Sequence, residues 1–219
     1  MSKSPKASRF ILGFVKLTGI IPALLLFKPK VFLMSKSCRR RLPKRAILMS
    51  NHTSLMDFVL YLVLFPFRTI HFLMGEVLFR KNPAFSWFLY KLGGIYVYRD
   101  DCNFSFLDDS LKALDKNRIV GIFPQGRLPV GGSPFPFKPG IVLVALRTDA
   151  PIIPVYTDGN YGLFKRAHVI IGEEIYLRDY VSTPNVSDTE LKNLAAMLEE
   201  KNNTLKEELE KRMKNQNGK

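Results

Sequence analysis

The sequence predicts an α/β fold: a mixed, largely parallel sheet flanked by helices, with an N-terminal membrane-associated helical segment ahead of it. Three observations lead there. From residue 45 onward short apolar runs alternate with longer helical patterns, the order that builds strands joined by crossover helices. Hydrophobic residues make up 47% of the 219-residue chain, enough to bury a sizeable core and to exclude global disorder. The positive charge is also unevenly placed. The chain carries 33 Lys and Arg against 19 Asp and Glu, a net of +14. Residues 1–45 hold twelve of those cations and no acid, which leaves only +2 for the remainder. The charge therefore divides the chain into a basic, apolar anchoring segment, 1–44, and a nearly neutral domain, 45–219.

The anchoring segment contains FILGFVKLTGIIPALLLF, residues Phe10–Phe27, with Lys16 as its one charge. As a straight helix it would cover about 27 Å, barely a hydrocarbon core. Gly13 and Gly19 weaken it, and Pro22 is expected to kink or break it. Basic residues flank it on both sides, so the charge asymmetry that orients a spanning helix is weak. An in-plane or re-entrant anchor on an anionic membrane face fits these flanks better than a span or a soluble core helix. A cleaved secretory signal is disfavoured by the missing small-x-small site and by Arg39-Arg40-Arg41. Nucleic acid is not an expected partner, because the cations flank an apolar segment instead of interleaving with a stacking platform.

In the domain, residues 46–50 (AILMS) read as a buried strand and 55–64 as an apolar helix. Residues 71–74 form the next strand, and 83–92 a helix with Pro83 at its favoured first position. Strands over 95–98 and 119–123 enclose a helix over 104–116. Residues 140–147 read as helix, then 152–156 and 169–175 as strands. A polar helix over 188–214 carries Leu191, Leu194, Ala195, Leu198, Leu205 and Leu209 on one stripe, making it the amphipathic C-terminal helix. The chain shows no internal repeat. Cys38 and Cys102 are isolated, a usage that fits a reducing compartment and offers no metal spacing. The sequons Asn51-His52-Thr53 and Asn103-Phe104-Ser105 carry little weight for glycosylation.

In folds of this class ligands gather where strands end and helices begin. Two such places stand out. Asn51-His52-Thr53-Ser54-Leu55-Met56-Asp57 follows the first strand. Five residues of ideal helix would set His52 and Asp57 about 140° apart. With His52 in the turn ahead of the helix, Asp57 can instead reach back to its imidazole, as a carboxylate orients a general base. The same residues also read as a capping box in which Asp57 serves only helix N–H groups, and the sequence leaves both readings open. Phe123-Pro124-Gln125-Gly126-Arg127 follows another strand, where backbone amides and the guanidinium of Arg127 suit a phosphate; an ordinary Pro/Gly turn is the competing reading.

Taken together, residues 45–175 resemble the glycerolipid acyltransferases typified by the bacterial enzymes acting on 1-acyl-glycerol-3-phosphate. Four blocks stand in the family's order. They are NHxxxxD (Asn51, His52, Asp57), the stretch Gly93-Gly94-Ile95-Tyr96-Val97-Tyr98-Arg99, the FPEGTRS-like Phe123–Pro129, and the VPIxPV-like Ala150-Pro151-Ile152-Ile153-Pro154-Val155. Phe137-Lys138-Pro139-Gly140 matches the lysine-glycine stretch after the third block. That block departs from the pattern: Gln125 replaces a glutamate, Arg127 a threonine and Leu128 an arginine. Gln keeps shape and hydrogen bonding without the charge.

The resemblance implies direct acyl transfer from acyl-CoA or acyl carrier protein to the free hydroxyl of 1-acyl-glycerol-3-phosphate, giving phosphatidic acid. His52 is then the base and Asp57 its orienting partner. Asn51, Arg99, Gln125, Gly126, Arg127 and Lys138 are the expected substrate-binding residues, with no metal and no cofactor beyond the thioester substrate. The alternatives are a different lyso-lipid acceptor or a non-catalytic lipid-binding relative. The expected partners are the two substrates, an anionic membrane through residues 1–44, and acyl carrier protein as one donor form. The expected place is the cytoplasmic face of a membrane, a bacterial inner membrane first. His71 and His168 are expected in packing or surface roles. Phe85, Trp87, Phe88 and Tyr90 are expected in the core, with an acyl groove or membrane face as the other reading.

Overall fold

The computed structural model describes residues 7–98, 104–181 and 186–217. Its elements in chain order are α1 (Arg9–Phe27), β1 (Lys30–Leu33), β2 (Ala46–Ser50), α2 (Asp57–Leu64), β3 (Ile70–Gly75), α3 (Glu76–Arg80) and α4 (Pro83–Leu92). They continue with β4 (Ile95–Val97), α5 (Ser105–Asp115), β5 (Ile119–Ile122), α6 (Gly140–Thr148), β6 (Ile152–Thr157), β7 (His168–Ile171) and α7 (Asp188–Asn217). A 3-10 turn covers Leu177–Tyr180.

The strands form one seven-stranded sheet in the order β1-β7-β6-β2-β5-β3-β4. Neighbours are parallel except β6 and β7, which run antiparallel. The mixed, largely parallel sheet read from the sequence is the sheet observed. Alternation along the strands sorts the core into two layers. Ile47, Met49, Val120, Ile122 and Ile152 pack against α5, α6 and α7. Ala46, Leu48, Phe72, Ile119, Ile153 and Val155 face the layer that holds α1, α2 and α4. This period-2 division is what buries both faces of a parallel sheet.

Two expectations are corrected here. Helix α1 runs unbroken through Pro22, so the proline does not end it. The division at residue 44 does not separate two bodies either, because Lys30–Leu33 pairs in register with His168–Ile171 and Leu42 is buried in the core. Charge marked a composition boundary, whereas backbone pairing decides the structural one.

Helix α1 lies along the domain instead of leaving it. At its start the Ser8 N–H donates to the Lys91 carbonyl at 3.0 Å. At its end Phe27 is fully buried. Midway, the Lys16 ammonium donates to the carbonyls of Pro66 (2.7 Å) and Arg68 (2.6 Å). Leu12, Ala23 and Phe27 turn inward, while Phe10, Phe14, Leu17, Ile21 and Leu25 are exposed. Their spacing of three and four residues makes one outward apolar stripe. Phe10–Phe27 is long and apolar enough to cross a membrane, yet it is docked at both ends.

Candidate active site

Strands β2 and β5 are parallel neighbours with Ala46 opposite Ile119 and Met49 opposite Ile122. Both therefore end at the same edge of the sheet, and the turns after them lie side by side. The His52 backbone N–H donates to Gln125 Oε1 at 2.6 Å. The His52 ring stacks on Phe123, centroids 4.3 Å apart and 14° from parallel. Phe123 in turn stacks on Phe72 of β3 at 5.6 Å. The two turns that sequence pattern separated by seventy residues form one floor. The amide oxygen of Gln125 is a neutral acceptor of the same shape that a carboxylate would offer there.

Helix α2 begins at Asp57 because residues 54–56 form a turn closed on that carboxylate. Asp57 is fully buried and accepts five hydrogen bonds. Oδ2 takes His52 Nδ1–H at 2.8 Å, Thr53 N–H at 2.7 Å and Ser54 N–H at 2.9 Å. Oδ1 takes the Thr53 hydroxyl at 2.8 Å and the Tyr161 hydroxyl at 2.6 Å. Of the two readings the sequence left open, the carboxylate orients the histidine, while the amides it holds are those of the turn ahead of α2 and not helix N–H groups, the N-cap Met56 having no side-chain cap bond. The bond to Nδ1 keeps the proton there and leaves Nε2 as the basic nitrogen. Burial raises the Tyr161 phenol well above its ordinary range, helped by the Asp57 charge, so it remains a donor.

Two apolar grooves meet at this floor. The first, about 340 Å³, is lined by His52, Leu55, Phe58, Met74, Lys81 and Phe85 among others. The second, about 330 Å³, runs past Tyr98, Phe104, Phe106 and Leu143 to Lys138 and the start of α6. Leu73, Gly75, Phe123 and Gly126 line both. Gly126 has φ +70°, a left-handed turn that a side chain would strain, and the Lys138 side chain crosses directly over it.

The expected site residues divide accordingly. His52, Asp57, Gln125, Gly126 and Lys138 converge. Asn51 sits beside them but faces the sheet: Nδ2 donates to the Thr157 carbonyl and Oδ1 accepts the Thr157 N–H, both at 2.9 Å. Its amide braces the end of β2 against β6. Arg127 is exposed, with its guanidinium 5.1 Å above the Phe135 ring, and it lines neither groove. Arg99 and Cys102 lie outside the described residues. Phe85 is a groove wall and half exposed, and Trp87 is exposed with Lys91 over its ring, so neither sits in the core that was their default. His71 is buried, its Nδ1–H on the Gly93 carbonyl and its Nε2 accepting from Arg118, as packing required. His168 pairs with Asp158 at 2.7 Å. Tyr161 and Lys81 were not singled out from sequence. Tyr161 reaches Asp57 across 104 residues of chain, and no local pattern signals that. Among the described residues no group of three or more His, Cys, Asp or Glu is placed to hold a metal ion.

Residues 35–158 match the acyltransferase family, a stretch that contains His52, Asp57, Gln125 and Lys138. The chain is 32% identical over 143 residues to the 1-acyl-sn-glycerol-3-phosphate acyltransferase of Bacillus subtilis (strain 168), covering 63% of this chain and 68% of that protein. It is 34% identical over 122 residues to the protein of the same name from Cocos nucifera, covering 53% of this chain and 38% of the relative. The chain thus spans well under half of the plant protein's length. Its fold is similar to the crystal structure of the 1-acyl-sn-glycerophosphate (LPA) acyltransferase, PlsC, from Thermotoga maritima. The TM-score is 0.61 at 24% identity, over 93% of this chain and 80% of that one.

Proposed function

The chain belongs to the acyltransferase family, and from that premise we propose that it transfers a fatty acyl group from acyl-CoA or acyl carrier protein to the free hydroxyl of 1-acyl-glycerol-3-phosphate, giving phosphatidic acid. One observation carries this reading: the His52–Asp57 pair stands at the junction of two apolar grooves. The reaction brings together two acyl chains, one on the donor and one on the acceptor, and two grooves sharing a wall suit that pair.

His52 Nε2 accepts the proton of the attacking hydroxyl while its oxygen bonds to the thioester carbonyl carbon. The carbon–sulfur bond then breaks and the thiolate takes up that proton, leaving ester and free thiol. Asp57 holds the imidazole in the required tautomer and stabilises the imidazolium as it forms. Lys138, at the rim of the second groove, is the cation for the acceptor phosphate, and Lys81 stands at the rim of the first. The exposed stripe of α1 rests in the plane of an anionic membrane, on the cytoplasmic face, with the domain docked above it.

A second reading, a different lyso-lipid acceptor, is favoured by one observation: Arg127, which stands in the altered third block, turns outward to Phe135. Both readings are tested by offering purified protein labelled oleoyl-CoA and a panel of lyso-lipids beside His52→Ala. Lysophosphatidic acid is expected to be the best acceptor, with turnover lost in the variant. Preference for another lyso-lipid selects the second reading, and equal turnover by His52→Ala overturns the role of His52 in both.

A further inference from the structure

Tyr161 lies on the loop between β6 and β7, far from the sequence blocks that build the dyad. Its hydroxyl is one of two donors to Asp57 Oδ1, at 2.6 Å. Gly159 on the same loop approaches Thr53, the other donor, so closely that a Cβ there would stand 2.5 Å from Thr53 Oγ1. Residues 159–161 therefore clamp the side of Asp57 that faces away from His52.

This loop is fastened to the end of α1. The Tyr161 ring meets Phe27 edge-on, centroids 5.1 Å apart at 75°. The Gly162 N–H donates to the Leu26 carbonyl at 3.3 Å, and the Ala167 N–H to the Phe27 carbonyl at 2.8 Å. The Lys30 N–H returns a bond to the Ala167 carbonyl at 2.9 Å, and the Lys28 ammonium bonds the Leu163 carbonyl. Phe27 is fully buried beneath this loop, so the last turn of the apolar helix is its foundation. The route from α1 to the base is Phe27, Tyr161, Asp57, His52, and every link is a direct contact.

We propose that Tyr161 is a positioning residue for acyl transfer, and that the C-terminal turn of α1, through Phe27, sets the dyad by holding it. The inference rests on the proposed role of His52 and Asp57. A dyad acting through Nε2 needs its carboxylate fixed in angle as well as position. The two backbone N–H donors on Oδ2, those of Thr53 and Ser54, fix one oxygen beside the His52 bond, and the rotation of the carboxylate about its axis is decided by the donors on Oδ1. Seating of the apolar helix is thereby coupled to the orientation of the base.

The test uses the full chain in mixed micelles, with turnover measured for wild type, His52→Ala, Tyr161→Phe, Phe27→Leu, and Tyr161→Phe with Phe27→Leu. Tyr161→Phe keeps the ring on Phe27 and removes only the hydroxyl. It is expected to lower kcat about tenfold with KM for both substrates unchanged. Phe27→Leu is expected to lower kcat about threefold in the wild-type background and not at all in the Tyr161→Phe background, since the hydroxyl it positions is gone. Wild-type kcat in Tyr161→Phe, or losses that multiply in the double variant, overturns the proposal. If Phe27→Leu does not fold, Phe27→Met takes its place in the same cycle. Full turnover by His52→Ala instead brings down the dyad itself, an outcome separate from the failure of Tyr161.

Discussion

Replacing Asp57 by Asn separates the two duties of that carboxylate. The five hydrogen bonds it accepts divide three to Oδ2 and two to Oδ1. An asparagine with its oxygen in the place of Oδ2 keeps all three N–H donors, including His52 Nδ1–H. Its amide nitrogen then meets two hydroxyls, those of Thr53 and Tyr161, each free to rotate and accept. The fold survives, with a loss of about 2 kcal/mol as charge-assisted bonds become neutral ones. Asp57→Ala would leave three N–H groups and two hydroxyls without their acceptor at about 1–3 kcal/mol each, a sum comparable to the whole stability of a domain. Asn is therefore the informative variant. What it removes is the negative charge opposite the imidazolium, worth about a thousandfold in kcat, or about 4 kcal/mol. Steady-state turnover with labelled acyl-CoA, beside thermal unfolding of the same preparation, gives both quantities. Turnover of Asp57→Asn within tenfold of wild type would refute a catalytic role for the charge and leave Asp57 as the residue that closes the turn ahead of α2.

Three further outcomes are expected. Burial holds His71 at about 4, against an ordinary 6.5, with Arg118 and Lys116 pushing the same way and the Gly93 carbonyl opposing. Its contribution is fully present above pH 6.5 and is lost as pH falls from 6.5 towards 4, about 3 kcal/mol in all. His71→Asn should flatten the fall in urea-unfolding stability over that window, and an unchanged slope counts against it. Lys138→Ala should raise KM for a phosphorylated acceptor about tenfold, while Arg127→Ala changes it less than threefold; the reverse order would show that the third block binds phosphate after all. Changing Phe14, Leu17 and Ile21 together to Ser should cut sedimentation with anionic vesicles at least tenfold, at roughly 1.5 kcal/mol or more per side chain. Equal pelleting would remove α1 as the contact surface.

The parts of this molecule legible in the sequence are those whose cause is local. AILMS at 46–50 is an apolar run closed by turn residues, and α4 is fixed by the Asn82 cap and Pro83. The His52–Asp57 contact spans five residues, so its geometry follows from the turn that joins them. Lys30–Leu33 does not read as a strand because its neighbours are Pro29 and a basic tract, and among the described residues its partner is β7, about 138 residues on. Glu76–Arg80 is too short for a helical period to register. Tyr161 and the outward turn of Arg127 depend on which loops the sheet order brings together, and one-dimensional pattern carries no such information. Helix α2 starts two residues later than its apolar stripe implied, because Asp57 draws the preceding backbone amides to itself.

The pairing of β1 carries a consequence for how the chain comes together during synthesis. β1 is an edge strand, and β7 is its single neighbour in the sheet. Among the described strands β1 thus waits for β7 before it has backbone to pair with. Until then Phe27 at the end of α1 also lacks the β6–β7 loop that buries it. Closing that gap joins residues far apart in the chain, the slow kind of step in folding. Completion of the sheet and covering of the inner face of α1 are therefore one late event, set by the emergence of β7.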